Sequence, residues 1–313
     1  MKLFKNIITV LCLLLLVSCS EDFFDSITEV EIPEHEPRLS VTATFNNNIR
    51  KQRVFVNYSV GILDNSPNAR RVPDANVRLF EDGVLKNTFT FVSRMDGNSN
   101  EEVGWFESDN LEFLPEREYT LVANSDTYGQ AMANQQLPTE VPINNLTFKE
   151  DGAVDIYGDQ GNEITLEIND PANEENYYSI SALVFYRFED QDTKALIGEP
   201  VPVSPVDPIL EDLNSGIFLN DASFNGETFT LRAAVFFKKE EGQLNFNYRR
   251  AERIRIVLSS ISKDRYLFEK TLSNYYDNRD NPFAEPVIVH ENVEGGSGIF
   301  TLTTPSEAEI TIQ

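Results

Sequence analysis

Beyond Pro37 the apolar residues of this chain recur at every second position, and that period decides what it can fold into. Arg38-Leu39-Ser40-Val41-Thr42-Ala43-Thr44-Phe45 alternates, as does Arg53-Val54-Phe55-Val56-Asn57-Tyr58. Both runs are rich in β-branched and aromatic residues, so positions i and i+2 line one face of a pleated strand. Val77 to Phe80 and Val84 to Phe89 flank Glu81-Asp82-Gly83, where Asp-Gly supplies the positive φ angles of a tight hairpin turn. Gly104 to Glu107, Glu118 to Ala123 and Gln130 to Ala133 continue the series, with Pro73 and Pro115 in the connections. Short strands so spaced predict an antiparallel, immunoglobulin-like β-sandwich over residues 38–137.

Leu137-Pro138-Thr139-Glu140-Val141-Pro142 breaks the pattern and marks a domain boundary. Residues 138–313 then predict a second, larger antiparallel β-sandwich, so the fold class is mainly β. Its strands are expected at Glu163 to Ile168, Tyr177 to Phe188, Glu227 to Lys238, Glu252 to Leu258, Val287 to His290 and Ile299 to Thr303. Pro200, Pro202, Pro205 and Pro208 mark an extended loop. Phe185-Tyr186-Arg187-Phe188 and Val235-Phe236-Phe237 are aromatic runs suited to a sheet covered on both faces. One helix is expected near 262–276, with Arg265, Phe268, Leu272 and Tyr275 on one stripe, Ser262 as N-cap and Asp264 in the first turn. Its expected role is to cover one sheet.

The amino terminus has a different character. Lys2 and Lys5 precede an apolar run from Ile7 to Val17, and Leu16-Val17-Ser18-Cys19 reads as a bacterial lipobox. Residues 1–18 are thus expected to be a lipoprotein signal peptide. Eleven helical residues rise roughly 16 Å, too short for a hydrocarbon core of roughly 30 Å. Lipidation is expected at Cys19, and several acyl chains there would anchor the protein stably, since each buried methylene contributes about 0.8 kcal/mol. Residues 19–37, with Glu29, Glu31, Pro33, Glu34, Glu36 and Pro37, are too polar to fold alone and read as an acidic tether. Cys12 departs with the leader and Cys19 is acylated, so no thiol remains for a disulfide, a zinc site or a nucleophile. Without Lys2 and Lys5 the chain carries 24 basic against 51 acidic residues, a formal charge of −27, which repels nucleic acid.

Ser20-Glu21-Asp22-Phe23-Phe24-Asp25 resembles the signal that sends Bacteroidota lipoproteins to the outer face of the outer membrane, and Asp25-Ser26-Ile27 resembles the O-glycosylation acceptor of the same bacteria, with Ser26 as the acceptor. Tyr275-Tyr276-Asp277-Asn278, Asn281-Pro282-Phe283-Ala284-Glu285-Pro286-Val287 and Asn292-Val293-Glu294-Gly295-Gly296-Ser297-Gly298-Ile299-Phe300 resemble the closing signature of the Bacteroidota surface lipoprotein family catalogued as domain of unknown function 4249. Val72 to Val77 with Asp82-Gly83, and Asn169-Asp170-Pro171 ahead of Glu175 to Tyr178, look like further family positions. The resemblance implies a surface lipoprotein beside a TonB-dependent outer-membrane transporter. It carries over no catalytic residue.

Little else in the sequence points to chemistry. The two histidines, His35 and His290, fall in the tether and a predicted strand, so no Ser-His-Asp or His-rich metal constellation is expected. Paired carboxylates leave glycoside hydrolysis open, but nothing singles out a pair. Asp96, Asn98, Asn100, Glu102 and Glu107 stand at positions 1, 3, 5, 7 and 12 of a loop, the oxygen-ligand spacing of a calcium site. Glu101 occupies the sixth place, where that loop needs glycine, and a polar hairpin loop is the competing expectation. Asp151, Asp155, Asp159 and Glu163 read as a solvated face. Gly295, Gly296 and Gly298 allow a bend before the last strand, and no lysine or helix follows to make a phosphate loop. Trp105 and Tyr275-Tyr276 are candidate binding aromatics, with core packing the competing expectation for Trp105. The functional expectation is a non-catalytic accessory binding or docking subunit, with no cofactor other than the candidate calcium. A periplasm-facing structural lipoprotein and a carbohydrate-active enzyme are the alternatives.

Overall fold

The computed structural model describes residues 34–61, 64, 70–97, 102–172, 174–189, 194–213, 216–242, 248–281 and 283–312. Cys19, Ser26 and most of the tether lie outside the described residues.

The alternating runs form the first sandwich: β1 (Leu39–Asn46), β2 (Gln52–Tyr58), β3 (Asn76–Glu81), β4 (Val84–Thr88), β5 (Thr90–Met95), β6 (Glu102–Ser108), β7 (Glu118–Ser125) and β8 (Gly129–Gln136). One layer orders as β1-β2-β6-β5 and the other as β4-β3-β7-β8. With the eight strands lettered A, B, C, C′, D, E, F and G, these are ABED and C′CFG, the immunoglobulin-type arrangement expected from the sequence. A tyrosine corner accompanies it. Tyr119, at the start of β7, is fully buried, accepts from Leu114 N at 2.7 Å and donates to Glu81 Oε1 at 2.8 Å. Burial pushes its hydroxyl up to about 12. The β3–β4 turn places Asp82 at φ 48° and Gly83 at φ 77°, as Asp-Gly predicts.

The second sandwich comprises β9 (Ile143–Val154), β10 (Gln160–Asn169), β11 (Tyr177–Glu189), β12 (Lys194–Val201), β13 (Val203–Pro205), β14 (Glu211–Leu213), β15 (Gly216–Asn220), β16 (Thr228–Val235), β17 (Glu240–Gly242) and β18 (Tyr248–Ile261), followed by helix α1 (Lys263–Asn278) and β19 (Ser297–Thr311). One layer is β13-β16-β10-β9 and the other β14-β15-β11-β18-β19, with β12 beside β11 and β17 beside β18. The expected proline loop is instead largely strand. Pro200 lies in β12 opposite Leu183 and Pro205 in β13 opposite Ala233. β12 and β13 each border their sheet, where a missing N–H is tolerated. Residues 287–290, expected as a strand, run without sheet pairing; His290 N instead donates to Thr271 Oγ1 of α1 at 2.8 Å.

β19 corrects the boundary at 138. Its first half pairs in parallel with β1, Ser40 opposite Ser297 through Asn46 opposite Thr303. Its second half pairs antiparallel with β18, Ile261 opposite Thr303 through Arg253 opposite Thr311. Phe300 and Leu302 therefore enter the first core, where Phe300 meets Phe45 edge-on at 5.2 Å, while Ile310 and Ile312 pack on the second. Leu137 belongs to the first core and Val141 to the second, and the main chain returns to the first between Leu258 and Phe300 before β19 takes it back, so it crosses between cores three times. The second sandwich is not wholly carboxy-terminal to the first, and Pro37–Gln313 forms one compact unit.

α1 begins as expected, with Ser262 Oγ accepting from Arg265 N at 3.3 Å. Its buried stripe differs from Arg265, Phe268, Leu272 and Tyr275, because Tyr266 and Glu269 are the residues it buries. Tyr266 packs at 5.0 Å on Tyr177, and Glu269 is held by Arg265 at 2.5 Å. Arg265 Nη1 donates to Thr44 Oγ1 of β1 at 2.8 Å. The buried stripe thus joins an aromatic packed on Phe218 and Ile261 to a charge pair, which an apolar periodicity does not reveal.

Candidate functional site

Where the end of β8, the 137–139 connection, the start of β11, the end of β18 and the first turn of α1 meet, the surface sinks into a cleft of about 640 Å³. Leu137, Pro138, Ile261 and Tyr177 supply its apolar wall. Glu116, Glu118, Glu174, Glu175 and Asp264 supply carboxylates, and Lys263 is the one cation in the lining. Lys263 Nζ is bound to Glu175 Oε2 at 2.7 Å, and Tyr177 donates to the same oxygen at 3.0 Å. The Lys263 ammonium is raised chiefly by that hydrogen bond to Glu175, and the Glu175 carboxyl is lowered by it.

Asp264 is the hub of the junction. Gln135 Nε2 of β8 donates to its Oδ2 at 2.6 Å, Asn292 Nδ2 to the same oxygen at 3.2 Å, and His290 Nε2 stands 2.8 Å from Oδ1. Burial pushes the carboxyl up, but the hydrogen bonds from His290, Asn292 and Gln135 more than reverse this and leave it below the usual aspartate range. Asn292 also brackets β19, donating to Phe300 O at 2.8 Å and accepting from Phe300 N at 2.9 Å. One acid at a helix N-terminus thereby ties the first sandwich, the helix and the shared strand together.

Two buried polar atoms of residues at this junction lack partners. Ser260 is 3% exposed, and its Oγ has no hydrogen-bond partner. Asn176 Oδ1 is likewise buried and unpaired, although its backbone N donates to Asp221 Oδ2 at 2.9 Å. Burial raises the Asp221 carboxyl beside it. Unmade hydrogen bonds at buried atoms are rare enough to point to a missing donor or acceptor.

A second cleft of about 560 Å³ lies at the opposite end of β11, around Asn162, Tyr186, Pro202, Phe237 and Arg249. There the Arg249 guanidinium sits 4.4 Å over the Tyr186 ring and binds Glu199 at 2.7 Å, so its main polar contacts are internally matched.

Of the calcium candidates, Glu102 and Glu107 do not come together. Asn98 and Asn100 lie outside the described residues. Glu102 and Glu107 stand on one continuous strand, opposite Met95 and Thr90 respectively, and lie five residue steps, about 17 Å, apart. Glu107 is instead occupied by Trp105 Nε1 at 3.0 Å and Lys51 Nζ at 2.9 Å, which lower its carboxyl. Among the described residues, no group of three or more His, Cys, Asp or Glu side chains gathers as a metal site.

Trp105 is 8% exposed, with Arg53 at 4.7 Å and Arg94 at 5.2 Å from its ring, so it is covered by cations. Tyr275 and Tyr276 remain exposed and meet each other edge-on at 5.7 Å. Asp155, expected on a solvated face, is buried; it accepts from Ser204 Oγ at 2.7 Å and from Tyr157 N and Asp159 N at 2.9 and 2.8 Å. It organises a turn. Of the cleft residues, the sequence signalled Ser262 and Asp264 as the start of a helix and Glu175 to Tyr177 as family positions, none of them as a site. Gln135 and Ser260 carry no local motif, because they reach the junction on chain segments that meet only in the folded molecule.

The family model described as Domain of unknown function (DUF4249) matches residues 26–309, spanning both sandwiches and the junction cleft. Compared with curated proteins, the chain finds no match.

Proposed function

We propose that this chain, which belongs to the family described as Domain of unknown function (DUF4249), is a lipid-anchored protein of the outer-membrane surface that binds without catalysis and serves as an accessory capture or docking subunit of a TonB-dependent transporter. The observation that carries the reading is Leu16-Val17-Ser18-Cys19 with the acidic run behind it, set ahead of a folded unit that starts at Pro37. An acylated Cys19 anchors the chain without any contribution from the fold. The 19 residues from Cys19 to Pro37 reach at most about 68 Å when extended. A body held on such a tether is confined to a thin layer, where its effective concentration toward a neighbouring membrane protein is roughly millimolar. Modest affinity is then sufficient.

Two surfaces support binding as the task. The junction cleft falls within the roughly 300–1,000 Å³ range of small-molecule sites. The end of α1 and the segment after it present Tyr275, Tyr276, Phe283 and Ile288, with Phe283 94% and Ile288 87% exposed. Exposed apolar side chains gathered in one segment of chain suit contact with another protein. Affinity purification of the full chain from detergent-solubilised outer membranes, with protease shaving of intact cells alongside, tests the proposal. Recovery of a TonB-dependent transporter and cleavage at the cell surface are the expected results. Repeated recovery of no transporter contradicts the docking role, and full protection from protease points to a periplasm-facing structural lipoprotein.

A further inference from the structure

We infer that the segment after α1 is a docking knob, in which Phe283 and Ile288 seat in an apolar pocket, bordered by lysine or arginine, on a partner protein. This rests on the reading of the chain as a docking subunit and specifies the surface used and the chemistry of what it meets. Phe283 at 94% and Ile288 at 87% are the two most exposed large hydrophobic side chains among the described residues, and they stand five positions apart. Single exposed apolar residues are ordinary. Two so fully exposed on one short stretch, next to the exposed Tyr275 and Tyr276, are not.

The stretch is also held in place. Asn281 N donates to Asn278 O at 3.0 Å at the end of the helix, and Asn281 then closes a turn in which its O accepts from Ala284 N and its Oδ1 from Phe283 N, both at 3.1 Å. On the return, His290 N is fixed to Thr271 Oγ1 of α1. An aromatic presented on a turn that is already formed loses little freedom when it is buried, as an anchor residue requires. Charge selects the occupant. Residues 275–288 carry Asp277, Asp280 and Glu285 against Arg279 alone, and Arg279 faces Asp280 at 3.5 Å. Asp277 and Glu285 are exposed and pair with no cation among the described residues. A segment that lies in a lipid surface carries lysine and arginine instead, and an anionic surface repels these acids. Two copies of so acidic a chain repel each other as well. A basic border around an apolar pocket answers both the aromatic and the acids.

Photo-crosslinking in cells that make the full chain tests this, with Phe283→p-benzoylphenylalanine and, as control, the same change at Val84, which is 71% exposed on β4. Position 283 should give an adduct with one outer-membrane protein, mapped by mass spectrometry to an apolar pocket bordered by lysine or arginine, and position 84 should not. Phe283→Ala with Ile288→Ala should lower recovery of that protein about tenfold or more, while the melting temperature stays unchanged because both side chains are exposed. Asp277→Asn with Glu285→Gln should lower it several-fold, and added salt should loosen the native complex.

An adduct with a second copy or with lipid, equal adducts from both positions, no adduct, or undiminished recovery from either double variant overturns the inference. A transporter recovered equally well by Phe283→Ala with Ile288→Ala leaves the docking role standing and removes the knob. An adduct from position 283 in such a pocket of a protein other than a transporter leaves the inference standing and removes the transporter role.

Discussion

Single atoms decide several features of this molecule. Gly298 sits at φ +111°, and a Cβ there would fall 2.1 Å from Val41 O of β1. The parallel pairing of β19 with β1 therefore depends on the absence of a side chain. Gly298→Ala should lower stability by more than about 2 kcal/mol in urea unfolding, because strained φ and backbone overlap act together. Tyr119→Phe leaves Leu114 N–H and Glu81 without their buried partner and should cost about 1–3 kcal/mol.

Asp264 makes stability depend on pH. Its carboxyl is held below the unfolded aspartate value of about 3.9, so its contribution is complete above that value and is lost as pH falls through the lower, folded one. Unfolding midpoints measured from about pH 5 down to about pH 2 should fall more steeply for the native chain than for Asp264→Asn. At neutral pH the variant should be about 1–3 kcal/mol less stable. Equal acid slopes would show that the three hydrogen bonds on Asp264 do not favour its ionised form.

At the scale of elements, β19 is the one on which both cores rely. Phe300→Ala opens a cavity beside Phe45 in the first core and should cost about 3–5 kcal/mol, read by chemical unfolding. The β3–β4 hairpin was legible because Asp82-Gly83 encodes its geometry within two residues. The first sandwich was legible because alternation is local and its strands follow one another. β19 was only partly legible. Its expected extent stopped at Thr303, yet the strand runs on, and Thr304 Oγ1 donates to Pro138 O at 2.7 Å and Ser306 Oγ accepts from Ile143 N at 3.2 Å. Those partners are more than 160 positions away in sequence. The same distance hid the parallel pairing with β1. The edge strands β12 and β13 were masked by their prolines, which a sheet border accommodates. The helix cap was readable at Ser262, while the buried stripe was not, because it pairs Glu269 with Arg265 where hydrophobic periodicity expects Phe268 and Leu272.

For the molecule as a whole, the crossings at 137–141, between Leu258 and Phe300, and along β19 make the sandwiches interdependent, and the cleft forms where they join. None of its residues announces a site alone. Its acidity was visible only as a property of the entire chain, and the unpaired Ser260 and Asn176 atoms emerge only from packing. Function in this account depends equally on position, because a binding body that diffuses freely cannot concentrate a ligand at a transporter. Fractionation of cells expressing the native chain and Cys19→Ser tests that claim most directly. The native chain should stay with salt-washed outer membranes and the variant should be released into the soluble fraction; a Cys19→Ser chain that remains membrane-bound after salt washing would contradict the account.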